Sequence, residues 1–264
     1  MTAAGTLAKY AAFTRIAALQ ARRDRGELYG RVAFFAVVLG VFSSLWQATR
    51  EAGAIVIGDP RTLVWYLAST EWVLLSAPLV HADIQEAVRR GDVVSLLGRP
   101  VSFVGAAFAE GLGQLITRAP VLAVTAFCCA FAFTGWIPPL RALAAVAGFG
   151  LVASALLTAL YVGIGLLAFW LEDVSPVFWI WQKLLFVLGG LMLPIALYPA
   201  WMQRLAALTP FPAILAWPAS FVLEGAAVAP AILAGRLVIW ASLTALAVRW
   251  LYSRATNRLT LNGG

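Results

Sequence analysis

The chain has 264 residues, 62% apolar and 12% charged, with a formal net charge of +7 and a mean hydropathy of +0.88. Soluble domains run at roughly 45–50% apolar and about 25% charged residues, so a water-soluble globular domain is excluded. Apolar segments of about 20 residues, the length that crosses a bilayer core, recur along the chain. The positive charge does not mark a nucleic-acid binder: the basic residues gather in three clusters, Lys9 to Arg31, Arg89 to Arg99, and Arg249 to Arg258. These flank apolar segments and fall on one side of the membrane if the span count is even, which is the positive-inside pattern.

The predicted fold is all-α: an N-terminal interfacial elbow helix, six transmembrane helices, and short re-entrant outer helices between spans 5 and 6. The whole of 1–264 reads as a single transmembrane domain, with a cytoplasmic elbow over 1–30, a cytoplasmic coupling region over 82–111 and the outer re-entrant helices over 197–228. Roughly thirty residues precede the first span, which does not fit a cleaved signal peptide. Over 7–27, Leu7, Tyr10, Phe13, Ile16 and Leu19 recur at every third position. That spacing drifts around a helix of 3.6 residues per turn and gives a wide apolar stripe. The expectation is a helix lying along the lipid headgroups, with a basic tail as the alternative.

The spans are placed near 31–48, 62–81, 112–134, 141–170, 177–196 and 231–252, the third following a glycine-rich apolar lead-in over 101–111. An even count puts both termini in the cytoplasm. Trp46, Trp65 and Trp136 are assigned to the outer boundary and Trp170, Trp179, Trp181 and Trp250 to the inner one, as interfacial anchors. Two adjacent cysteines, Cys128 and Cys129, and one histidine, His81, provide no metal-ligand spacing and little chemistry for a membrane enzyme. His81, at the inner end of span 2, is read as an interfacial hydrogen-bonding residue.

Between spans 2 and 3 lies the polar stretch "HADIQEAVRRGDVVSLLGRPVSF" (81–103). "DIQEAVRR" forms a short helix whose early acids and late arginines suit the helix dipole, ended by Gly91. Asp92 caps a second short helix, closed by Gly98 and Pro100. The product is a charged knuckle fit to dock into a cleft on a cytoplasmic partner, or a solvated connector. Between spans 5 and 6, residues 193–225 are apolar yet carry Pro194, Pro199, Pro210, Pro212 and Pro218. Proline breaks helices, so two short helices that dip in from the outer side are expected. Glu71 falls at mid-span, where an acid is costly and marks a functional site by default. It is a candidate for the substrate path; protonation, pairing or a shifted span are the alternatives. Glu110, Gln114 and Arg118 form one stripe at four-residue spacing, further candidates for the path or for a structural hydrogen-bonded role. Glu172 and Asp173 fall at the second cytoplasmic loop, with Lys183 beyond them, a solvated turn or a secondary contact.

"GDVVSLLGRPVSF" resembles the cytoplasmic loop of type-2 ABC exporter permeases, in which a gate helix and a coupling helix precede an Arg-Pro. The likeness is nearest to the six-span branch that includes viologen-exporter-like permeases. It extends over 166–225, through Gly190, Leu191, Pro194, Tyr198, Pro199, Trp201, Pro210, Phe211, Pro218 and Gly225. The resemblance implies a multi-pass permease of the plasma (inner) membrane, working as a homo- or heterodimer among membrane lipids. It would export a small hydrophobic, cationic or lipid-like compound, as in multidrug efflux. It also implies separate ABC ATP-binding subunits docked through Glu86, Arg89, Arg90, Asp92, Arg99 and Pro100. The chain has no Walker A pattern, so ATP and Mg belong on that partner and no cofactor is expected on this chain. An ion-coupled secondary transporter is the alternative; it needs ion ligands at broken helices near the midplane, for which Glu71 is the one candidate.

Overall fold

The computed structural model describes residues 3–23, 25–53, 59–93, 101–223 and 229–262. Among these residues no strand occurs. The helices are α1 (Ala3–Arg23), α2 (Arg25–Glu51), α3 (Pro60–Ser76), α4 (Val80–Arg89), α5 (Phe103–Thr134), α6 (Leu140–Leu166), α7 (Ser175–Leu188), α8 (Ala200–Ala207), α9 (Phe211–Ile214), α10 (Ala216–Ala219) and α11 (Pro230–Asn262). Their ends follow local chemistry. Asp59 accepts from the Arg61 N–H and Pro60 opens α3, a side-chain cap followed by a proline preset for the first turn. Gly135, at φ 61°, closes α5 with its N–H on the Phe131 carbonyl.

Among the described residues five helical segments are long and apolar enough to cross a membrane: Gly26–Thr49, Pro60–Arg89, Phe103–Thr134, Leu140–Phe169 and Pro230–Asn257. The predicted fifth span over 177–196 is instead the 14-residue helix α7, about 21 Å long at 1.5 Å per residue. That is short of a hydrocarbon core of about 30 Å. It stops because Gly190 turns left-handed, at φ 67°. The Gly190 N–H then bonds the Val187 carbonyl and the Leu191 N–H that of Phe186, a Schellman motif. The lead-in over 101–111 also differs from expectation, since α5 is one helix from Phe103.

α3 is the hub, packed against α2, α5, α6 and α10, with nearly every residue from Thr62 to Ser76 buried. Phe34, Val37, Val41 and Leu45 of α2 and Val238, Ile239, Leu246 and Trp250 of α11 point outward, the outer surface of a protein whose solvent is lipid. Trp65 and Trp46 are buried rather than displayed as anchors; the Trp65 indole N–H donates to the Trp136 carbonyl at 3.0 Å.

α1 makes the most extensive pairing of all, along the first half of α5. It does so through Tyr10, Phe13, Thr14, Ala17, Ala18 and Ala21, at helical spacing, and not through the whole every-third-residue stripe. Leu7, Ile16 and Leu19 of that stripe stay exposed. Small residues decide it: a Cβ on Gly113 would lie 2.2 Å from the Thr14 carbonyl oxygen. That close approach lets Thr14 donate to the Ala109 carbonyl and Thr117 to that of Ala18.

The prolines of 193–225 open or interrupt short elements. Pro194 precedes a 3-10 turn, Pro199 precedes α8, Pro210 precedes α9, and Pro218 lies in α10. α9 and α10 are buried and pack on α3 and α6. Gly225 lies outside the described residues.

Candidate functional site

Pro78 interrupts the second membrane segment. Its ring pushes the preceding residue out of the helical region: Ala77 is extended at φ −68°, ψ 127°, and α3 ends at Ser76. The last carbonyls of a helix have no partner within it, and here α2 provides one. Arg31 Nη1 donates to the Leu75 carbonyl and, at 3.5 Å, to that of Ala77. The same guanidinium pairs with Glu27 at 2.8 Å, and the other oxygen of Glu27 accepts from Arg118 of α5. Glu27 thus bridges two arginines and ties α2, α5 and the end of α3 into one charged knot. Around it, a cleft of about 340 Å³ is lined by Gln20, Glu27, Asp83, Glu110, Gln114 and Arg118, among others. A second cleft of about 160 Å³ shares Asp83, Glu110 and Gln114 with it.

After the break the chain resumes as α4. Asp83 sits in its first turn and Arg89 in its last, the polarity the helix dipole favours; Gly91, at φ 75°, ends it. Val80, His81 and Ile84 are buried against α6, where Gly165 leaves room: a Cβ there would lie 2.9 Å from Ile84 Cβ and 3.0 Å from His81 Cα. Gln85 Oε1 accepts the Val174 N–H at 2.8 Å. That bond ties α4 to the segment joining α6 and α7, where Asp173, two residues before Ser175, accepts from the Ser175 N–H and hydroxyl. These bonds from Ser175 hold the Asp173 carboxyl below the usual carboxylate range. The knuckle is therefore no free loop. One face is packed into the bundle, and Glu86, Arg89, Arg90 and Asp92 are exposed on the other, with Glu86 and Arg90 paired at 2.7 Å.

The profile of the ABC-2 family transporter proteins matches residues 73–263, from the last turn of α3 onward. The chain belongs to the ABC-2 transporter family. Comparison with curated protein sequences gives no match. Membership makes this multi-pass permease a membrane subunit that associates with an ABC ATP-binding subunit and is not itself the ATPase.

Of the residues singled out from the sequence of this ABC-2 permease, the structure gathers Glu110, Gln114 and Arg118 at the charged knot. Glu86, Arg89, Arg90 and Asp92 lie on the exposed face beside it, while Arg99 and Pro100 fall outside the described residues. Glu71 stands apart. It is 3% exposed within α3, and its Oε2 has no hydrogen-bond partner among the described residues. His81, read as an interfacial hydrogen-bonding residue, is buried; its ring stacks on Phe178 at 3.8 Å, and its Nδ1 has no partner among the described residues. Reading the sequence for function missed Glu27, Arg31, Pro78, Asp83 and Gln85. Glu27 and Arg31 stand at i, i+4, the spacing that signals a helical ion pair, and the Ala-Pro-Leu inside span 2 signals the break.

Proposed function

We propose that this permease is the transmembrane subunit of an ATP-driven exporter of the plasma membrane, with both termini cytoplasmic. It moves a small hydrophobic, cationic or lipid-like compound outward as ATP-binding subunits close beneath it. ATP and Mg are held by those subunits. α7, the re-entrant helices α8 to α10 and α11 complete six crossings, and α1 lies as an elbow on the inner headgroups. Two permease chains form the transporter.

The observation that carries this reading is the construction of α4. It is packed on α6 and tied to the second connecting segment through Gln85, yet it continues the second membrane segment across a proline break. A push on its exposed charged face reaches α3 and α6 together. Glu86, Arg89, Arg90 and Asp92 form the contact with the ATP-binding subunit, and Arg99 and Pro100 extend it. Glu110, Gln114 and Arg118 sit where that motion is passed to α5, and Glu71 lies on the path of a cationic compound.

The test is co-purification with the ATP-binding subunit and assay of the complex for ATPase activity. Charge-neutral replacement of Arg89, Arg90 and Asp92 together is expected to dissociate the complex and abolish stimulated hydrolysis. A triple variant that keeps both sinks the docking role of α4. A wild-type chain that moves substrate with no ATPase attached leaves the ion-coupled reading centred on Glu71.

A further inference from the structure

A groove separate from the charged knot runs between the start of α5, the second half of α6 and α11. Its volume is about 470 Å³, within the roughly 300–1,000 Å³ of small-molecule sites. Ala155 and Ala159 on α6 and Ala241 and Ala245 on α11 line it. Each pair is four residues apart and so shares one helix face, and the methyl side chains leave a trough between the two helices. Nearer the end of α6, Gly163 lets α11 close in, since a Cβ there would meet Val248 at 3.3 Å. The outer lips are lipid-facing: Val152, in the lining, is 54% exposed, and Val238 and Leu246, beside it on α11, are each 65% exposed.

The polarity of the groove is graded. Its walls are apolar along α6 and, apart from the buried Thr244, along the middle of α11, while Ser102, Arg249 and Tyr252 stand together at the end where α5 begins. Tyr252 is held there by stacking on Phe103, and Arg249 is exposed. One turn further along α11, Arg254 lies over the Trp250 ring at 5.2 Å, an aromatic and cationic pair of the kind that sits at headgroup level. An apolar trough ending in an arginine and two hydroxyls, with lipid along its open side, has the layout of a phospholipid: chain first, phosphate last.

We propose that this groove binds an acyl chain of an anionic phospholipid of the inner leaflet, with Arg249 on the phosphate and Ser102 and Tyr252 beside it. The choice of leaflet rests on the orientation proposed above, and the sign of the headgroup on Arg249, which complements the anionic lipids of the cytoplasmic leaflet. The full-length chain, purified in detergent and stripped of lipid, is titrated with phosphatidylglycerol or phosphatidylcholine and read by native mass spectrometry. Phosphatidylglycerol is expected to bind the tighter. Arg249→Gln lowers its affinity about fivefold, the worth of one cation near a charged surface, and lowers that of phosphatidylcholine, whose choline already offsets the phosphate, by less. Ala245→Trp fills the trough from an exposed position and lowers binding of both lipids. Arg236→Gln, near the opposite end of α11, changes neither. Equal binding of the two lipids by the wild type, or wild-type binding by both Arg249→Gln and Ala245→Trp, overturns the proposal. So does disulfide cross-linking between two Ala245→Cys chains in membranes, because a second copy then occupies the groove. The readout needs no ATPase, so failure of the docking role of α4 and failure of this site are separable.

Discussion

Two apolar helices, α3 and α7, are stopped short, at Pro78 and at Gly189–Gly190, and each stop leaves backbone carbonyls that apolar surroundings cannot satisfy. The solutions differ. At Gly190 the clamp is neutral and buried: the Tyr66 hydroxyl donates to the Gly190 carbonyl and the Thr70 hydroxyl to that of Leu191 at 2.7 Å, both from the hub helix α3. At Pro78 the clamp is charged and borders a cleft. It is Arg31, itself held by a Glu27 whose side chain is 41% exposed. Neutral hydroxyls inside protein have no competing solvent partner, so that break is fixed. At Pro78, Arg31 and Arg118 are mostly covered, at 13% and 11%, and the Glu27 side of the pair meets water, so this break is held by charges that salt screens in part and the other is not.

Gly190→Ala sharpens this contrast most. Alanine in the left-handed region costs about 1–2 kcal/mol, and its Cβ would lie 2.8 Å from Ile195 and 3.0 Å from the Leu193 carbonyl oxygen. The loss is expected to reach about 3 kcal/mol or more once the overpacking is added, read as a large fall in melting temperature in detergent. Tyr66→Phe and Thr70→Val, combined, each remove a donor from a buried carbonyl, at about 1–3 kcal/mol apiece. That loss should not change with salt.

Smaller effects are expected at the charged break. Arg31→Ala removes the donor from Leu75 and Ala77 where water can replace it, so its cost should fall near the low end of that range, about 1 kcal/mol. Glu27→Gln should cost less again, within about 1 kcal/mol, and its effect should fade as salt rises. If melting curves show Glu27→Gln as damaging as the Tyr66 and Thr70 pair, and insensitive to salt, then the two clamps are alike and the contrast between them is broken.

The smallest effect concerns Asp173. Its folded pKa is depressed by Ser175, so its contribution is fully present above the unfolded value of about 3.9 and is lost as pH falls through the lower folded value. Asp173→Asn should lower the melting temperature slightly at neutral pH, where that contribution is present, and should converge with the wild type below about pH 4, which flattens the acid limb of the profile.

Hydropathy marked the long helices α2, α5, α6 and α11 because lipid imposes a length and a composition on each of them separately. Five segments with that length occur among the described residues. The turn ending α4 was legible for the same local reason, since Gly91 sits where an arginine-rich last turn must stop. The seating of α4 was not, because Gly165, which admits Ile84, is more than 80 positions away in the chain and unremarkable in a run of apolar residues. α1 shows the same limit. Its apolar repeat was visible, but the face that packs was chosen by Gly113 and the backbone of α5.

The sequence by itself determined an all-helical membrane protein with basic flanks, a charged knuckle after the second segment and a proline-broken stretch before the last. These are statements about single segments and the solvent each one needs. Only the tertiary structure decided that Glu27 joins Arg31 to Arg118, that Arg31 closes the break at Pro78, and that Tyr66 and Thr70 close the one at Gly190. Each depends on which distant backbone carbonyl or carboxylate lies within hydrogen-bond reach, and packing sets that distance where local pattern cannot.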